Sequence, residues 1–100
     1  MKRDGATPCV EIFYAEICGL CHKALAFFRE RGVPVSAYEV EWDGERFVDG
    51  EHARELRRRC GDVDFVPQIF IDGRHIAGWR RLEPMIESGE IDLWLEGGPG

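Results

Sequence analysis

Val10-Glu11-Ile12-Phe13-Tyr14-Ala15-Glu16-Ile17-Cys18-Gly19-Leu20-Cys21-His22-Lys23-Ala24 is the stretch on which the fold turns. Its first five residues, β-branched and aromatic over a strand's length, read as a buried strand. After Gly19 the period changes. Leu20, Ala24, Leu25, Phe27 and Phe28 fall on one side of a helix, and Lys23, Arg29, Glu30 and Arg31 on the other. Gly32 and Pro34 supply the stop. Two cysteines therefore stand where a strand hands over to a helix. A thiolate there faces unpaired backbone N–H groups and the positive end of the helix macrodipole. Such placement lowers a thiol pKa from about 8.5 to roughly 3.5–7.5. Cys18, expected to point outward, is the candidate nucleophile. Cys21, one turn inside, is the candidate resolving thiol for a mixed disulfide. His22 and Lys23 bring cationic groups into the same turn, in directions the sequence does not fix.

Working outward, Val35 to Trp42 alternates in part and predicts a second strand, so the opening is a βαβ unit with a right-handed crossover. Asp43 to Gly50 is polar, carries two glycines and reads as a loop. Glu51 to Cys60 predicts a helix with Ala53 and Leu56 inward and Gly61 as its cap. Phe65 to Ile71 predicts a third strand, with Pro67 at its start, where no ladder hydrogen bond is lost. Asp72-Gly73 is a two-residue hairpin turn returning as Arg74 to Ala77. Leu82 to Ser88 predicts a short helix and Ile91 to Leu95 a last turn. The order βαβ-α-ββ-α, without repeats or linkers, predicts one domain over residues 8–96 with flexible termini at 1–7 and 97–100.

One hundred residues fit one domain with a modest core. The chain is 44% apolar and 32% charged, an ordinary globular mix. Nineteen acidic against thirteen basic residues give a net charge of −6, which argues against nucleic acid or anionic membrane as a partner. No apolar run approaches a bilayer span, and the charged start Met1-Lys2-Arg3-Asp4-Gly5 has no apolar stretch behind it. A cytoplasmic location follows as the expectation. There, closely spaced cysteines serve redox or metal chemistry more often than structural disulfides.

Four cysteines, Cys9, Cys18, Cys21 and Cys60, leave several readings open. Cys18 and Cys21 can be two structural core thiols. They can begin a zinc site completed by Cys9, Cys60, His52 or His75, although no second CxxC pair exists. With His22 they also fit the haem-attachment pattern CxxCH, which normally belongs to exported chains. The strand-to-helix position favours a redox dithiol, with no metal required. Cys9 and Cys60 read as packing residues, His22 as a helix-start residue and His75 as an exposed strand residue. Arg57-Arg58-Arg59 reads as a helix end suited to the macrodipole.

Cys18-Gly19-Leu20-Cys21-His22-Lys23-Ala24, taken with Val66-Pro67-Gln68-Ile69-Phe70-Ile71-Asp72-Gly73-Arg74-His75-Ile76-Ala77-Gly78, resembles the glutaredoxins from about Glu11 to Leu95. The resemblance implies an α/β thioredoxin-like fold, a four-stranded mixed sheet flanked by helices. It also implies a monomeric thiol–disulfide oxidoreductase acting on protein disulfides or glutathione mixed disulfides, with glutathione as co-substrate. Pro67 would be cis and beside the dithiol, Val66 would offer main-chain hydrogen bonds to the substrate, and Gly78, Trp79 and Arg80 would complete the binding segment.

The departures matter as much. Gly19-Leu20 replaces the usual Pro-aromatic pair, and Ala15 stands where a carboxylate-binding lysine is common. Arg80-Arg81 stand where an acidic residue usually meets the glutathione ammonium; two cations there repel an ammonium. Gly78-Trp79-Arg80 is similar to the branch that feeds electrons to ribonucleotide reductase, reduced by a flavoprotein, thioredoxin reductase. A glutathione-ligated iron–sulfur carrier is a further alternative. Trp79 reads equally as a partner-docking residue or a packed helix-start residue, and Arg80 and Arg81 also read as a solvated face.

Overall fold

The computed structural model of the chain describes residues 8–96, so the expected flexible termini at 1–7 and 97–100 lie outside the described residues. The elements run β1 (Val10–Tyr14), α1 (Gly19–Glu30), β2 (Val35–Glu39), α2 (Glu51–Cys60), β3 (Gln68–Ile71), β4 (Arg74–Ala77), α3 (Trp79–Ser88) and α4 (Glu90–Leu95). The four strands form one mixed sheet in the order β2-β1-β3-β4, with β1 parallel to β2 and antiparallel to β3. The predicted architecture is therefore observed.

Strand period decides how the layers assemble. On β1, Val10 and Ile12 face one side and Phe13 the other; on β3, Ile69 and Ile71 share the first side and Phe70 the second. The first side packs with Ala24 and Phe28 of α1, Leu82 of α3 and Ile91 of α4. The second packs with Ala53 and Leu56 of α2, Val40 and Phe47. Burial on both faces is why these strands read as nearly unbroken apolar runs. Each fully buried large side chain contributes about 1.5–3 kcal/mol, so the two central strands anchor both layers. Arg59 closes the second layer from outside. Its guanidinium donates to both carboxylate oxygens of Glu11 at 3.0 Å and lies 5.5 and 5.1 Å from the ring centres of Phe13 and Phe70.

Several boundaries differ from expectation. β2 stops at Glu39 rather than Trp42 because its partner β1 ends at Tyr14, whose carbonyl takes the last N–H, from Val40, at 2.8 Å. β3 begins after Pro67, which has no N–H for the ladder. Leu20 is 44% exposed, not inward: with Cys18 as N-cap, the buried stripe of α1 is Cys21, Ala24 and Phe28. α3 starts three residues early, at Trp79, and the expected last turn is the helix α4. The hairpin is as predicted. Asp72 and Gly73 both have positive φ, 51° and 83°, the pair a two-residue type I′ turn demands.

The Glu11–Arg59 pair gives a pH signature. Arg59's hydrogen bonds hold the Glu11 carboxyl below its ordinary value of 4.5. A carboxyl lowered in the folded state contributes stability that is full above about 4.5 and lost as pH falls through the lowered value. Arg59→Met is expected to cost about 1 kcal/mol near neutrality, seen as a melting temperature roughly 4–8 °C lower. The two melting curves should converge in acid.

Candidate functional site

Ala15 to Cys18 form a turn, closed by the Cys18 N–H donating to the Ala15 carbonyl at 3.0 Å, that delivers the first cysteine to the head of α1. Cys18 is the N-cap, with extended backbone (φ −89°, ψ 106°), and its Sγ accepts the Cys21 N–H at 3.1 Å. A sulfur thus occupies the place that a Ser or Asp oxygen fills in most helices. The same Sγ lies 3.7 Å from the Val66 carbonyl oxygen, to which a thiol hydrogen can be given. The first turn of α1 holds no acidic residue to oppose negative charge on the sulfur.

Cys21 differs in every respect. It is wholly buried, whereas Cys18 is half-buried. Burial, reinforced by its contact with the Cys18 sulfur, pushes the Cys21 thiol well up, against a smaller opposing hydrogen bond from the Ala15 backbone. The pair therefore comprises one reachable sulfur with a backbone donor trained on it and one sealed, protonated thiol.

The two basic side chains of this turn are occupied elsewhere. The His22 Nε2 is 2.8 Å from the Glu16 carbonyl oxygen, and the Lys23 Nζ sits 5.2 Å above the Trp79 ring. Val66 and Pro67 are beside Cys18, joined by a cis peptide bond. Gly78 meets the same segment from the other side. A Cβ there would lie 2.9 Å from the Phe65 ring, which would have to shift, and φ is +83°, so a side chain is disfavoured on both counts. Trp79 is half-buried against the first core layer, linked to α1 through Lys23. Arg80 is exposed, beside a groove that His75, Arg81 and Trp94 also line and Cys18 does not.

The loop at 43–50 holds what sequence reading missed. Trp42 and Phe47 pair across it as an antiparallel bridge with ring centres 5.3 Å apart. The Asp43 N–H donates to the Arg46 carbonyl and the Val48 N–H to the Glu41 carbonyl, while the Asp43 Oδ1 accepts the amides of Glu45 and Arg46. The segment is a small tongue, with Phe47 buried. An Asp-Gly pair between two aromatics was the available signal. The tongue closes a groove of about 270 Å³ lined by Ile17, Cys18, Trp42, Phe47, Phe65 and Val66, with Ala15 at its edge. A larger cavity, about 400 Å³ between α2 and β2, contains no cysteine.

The remaining cysteines lie apart. Cys9 is exposed, so the packing expectation fails there; only its backbone is tied down, by the N–H donating to Asp72. Cys60 packs against the second core layer as expected, with its Sγ 3.6 Å from the His75 Nε2. Among the described residues no three His, Cys, Asp or Glu side chains converge as metal ligands, and no helix is long and apolar enough to cross a membrane.

Comparison with known proteins agrees with this geometry. Residues 10–76 match the family model described as glutaredoxin. Over 87 residues the chain is 37% identical to glutaredoxin 3 of Escherichia coli strain K12, covering 87% of this chain and 96% of that protein. A buckwheat glutaredoxin–glutathione complex superposes with a TM-score of 0.68 at 26% identity, covering 88% of this chain and 76% of that one. A dithiolic glutaredoxin from Trypanosoma brucei brucei superposes at 0.67 with 28% identity, covering 86% and 84%.

The contrast between the two sulfurs is directly measurable. Under native reducing conditions iodoacetamide is expected to label Cys18 and the exposed Cys9, with Cys21 roughly a hundredfold slower. Peptide mapping by mass spectrometry reads the order, and denaturation should equalise the sites.

Proposed function

The chain belongs to the glutaredoxin family and is a thiol–disulfide oxidoreductase; from that premise we propose how its residues divide the work. Cys18 is the attacking sulfur and Cys21 the resolving one. The observation that carries this assignment is the split between half-buried Cys18, which lines a groove and whose Sγ accepts the Cys21 N–H, and the sealed Cys21 thiol. The Cys18 thiolate attacks one sulfur of a disulfide, forming a mixed disulfide and releasing the other sulfur as a thiolate that takes up a proton. Cys21 then gives up its proton, attacks the Cys18 Sγ and expels the second thiol, leaving an internal disulfide. Two glutathione molecules return it to the dithiol and leave as glutathione disulfide.

Val66 and Pro67 form the wall against which the substrate main chain lies. The Val66 carbonyl oxygen 3.7 Å from the attacking sulfur, and the cis bond that joins Val66 to Pro67, support this role. Gly78 allows the close approach of the Phe65-to-Pro67 segment and Trp79 borders the bound group, whereas Arg80 lines a separate groove. Glutathione as co-substrate is supported by the superposable buckwheat complex. Both cysteines come from one chain, so the cycle needs no second copy and the protein works as a monomer, in a reducing compartment such as the cytoplasm.

Ala15 and the Arg80-Arg81 pair favour a second reading of the electron donor. Neither a cation at position 15 nor an anion at 80 or 81 is present to hold the two ends of glutathione. A flavoprotein of the thioredoxin reductase class then does the recycling, as in the branch that serves ribonucleotide reductase.

Cys18→Ser is expected to abolish disulfide reduction. Cys21→Ser is expected to attack once and accumulate the mixed disulfide, visible as a mass adduct on Cys18. Retained dithiol turnover in Cys18→Ser would refute the assignment. One disulfide substrate assayed with glutathione plus its reductase, and in parallel with thioredoxin reductase, decides the donor: a glutathione-driven rate no faster than the uncatalysed one leaves the flavoprotein.

A further inference from the structure

The groove that ends at Cys18 is apolar in a way the redox chemistry alone does not require. Its side-chain walls are Ile17, Trp42, Phe47, Phe65 and Val66, without a charged group among them. Ile17 is 78% exposed and Phe65 46%, and Leu20, 44% exposed, lies between the two cysteines in the chain. Large apolar side chains gathered at the surface mark a contact site. The groove is also preformed. The tongue is held by two backbone hydrogen bonds and by the Asp43 carboxylate, and Phe47 anchors it in the second core layer.

We propose that the Trp42–Phe47 tongue forms a side-chain pocket that selects protein disulfides whose attacked cysteine adjoins a bulky apolar residue. This rests on Cys18 being the attacking sulfur. Cys18 itself lines the groove, so whatever enters is a near neighbour of the sulfur under attack. A carboxylate or ammonium placed there would lose its water without gaining a partner. An aromatic or branched aliphatic side chain loses nothing and covers Ile17, Trp42 and Phe65. The occupant is thus an extended protein segment presenting one such side chain beside its cysteine.

Two symmetric peptide disulfides test the proposal, one with Phe on both sides of the cysteine and one with Ser, both otherwise uncharged. Single-turnover reduction by the pre-reduced protein is followed by chromatography. Each rate is divided by that of dithiothreitol on the same peptide, which removes intrinsic reactivity. The Phe peptide is expected to react about tenfold faster or more. Trp42→Ala should bring the ratio close to one. Ile17→Ser, at a position too exposed to threaten folding, should lower the ratio at least about threefold. A wild-type ratio near one overturns the pocket and leaves the dithiol chemistry standing, as does a ratio untouched by Ile17→Ser. Failure to reduce either peptide overturns the assignment of Cys18 as well.

Discussion

The hydrogen bond from the Cys21 amide to the Cys18 sulfur is the constraint on which the rest of the molecule depends. A helix must satisfy its first N–H groups, and here the acceptor is a sulfur rather than an oxygen. One interaction therefore starts α1, fixes Cys18 at its mouth and turns Cys21 inward by one turn. The sheet supplies the platform. β1 is buried on both faces, and its end at Tyr14 sets where the following turn, and hence the cysteine pair, must emerge. From the other side, the Val66 carbonyl comes within reach of the same sulfur because the ladder of β3 cannot extend back through Pro67.

Charge is distributed with the same local logic, and in one place against it. α2 ends in Arg57, Arg58 and Arg59, which complement the negative end of its macrodipole, and Arg59 doubles as the cover of the second core layer. α3 does the opposite. Its first turn carries Arg80 and Arg81 and no acidic residue, and its N-cap, Gly78, offers no side-chain acceptor. Cations at a helix start cost stability.

Much of this was legible in the sequence, for identifiable reasons. β1, α2 and the turn between β3 and β4 have boundaries written in side-chain period and in Gly61, Asp72 and Gly73, and the dithiol's place follows from one strand and one helix in succession. Other features depend on tertiary contacts. The start of α3 was hidden because Gly78 is a cap by conformation and not by side chain. Leu20 has the hydrophobicity of a core residue but sits one position, about a third of a turn, from the buried stripe. The tongue was hidden by its polar tip: Asp43, Gly44, Glu45 and Arg46 outweighed the two aromatics that give it its purpose.

Gln68 joins these parts in a further way. It is wholly buried at the head of β3, its Nε2 donating to the Phe65 carbonyl at 2.8 Å and its Oε1 facing the His75 Nε2 at 2.7 Å. The first bond makes Oε1 the acceptor, so His75 presents its Nε2–H, and burial holds that imidazole below its ordinary value of 6.5. His75 also stacks on Phe70 with ring centres 4.8 Å apart. A single amide thus ties the outer rim of the sheet to the residue that forms one cheek of the groove. Disturbance of the rim strand would be felt at the mouth of the reactive cleft through two hydrogen bonds, as a pull on a taut thread is felt at its other end.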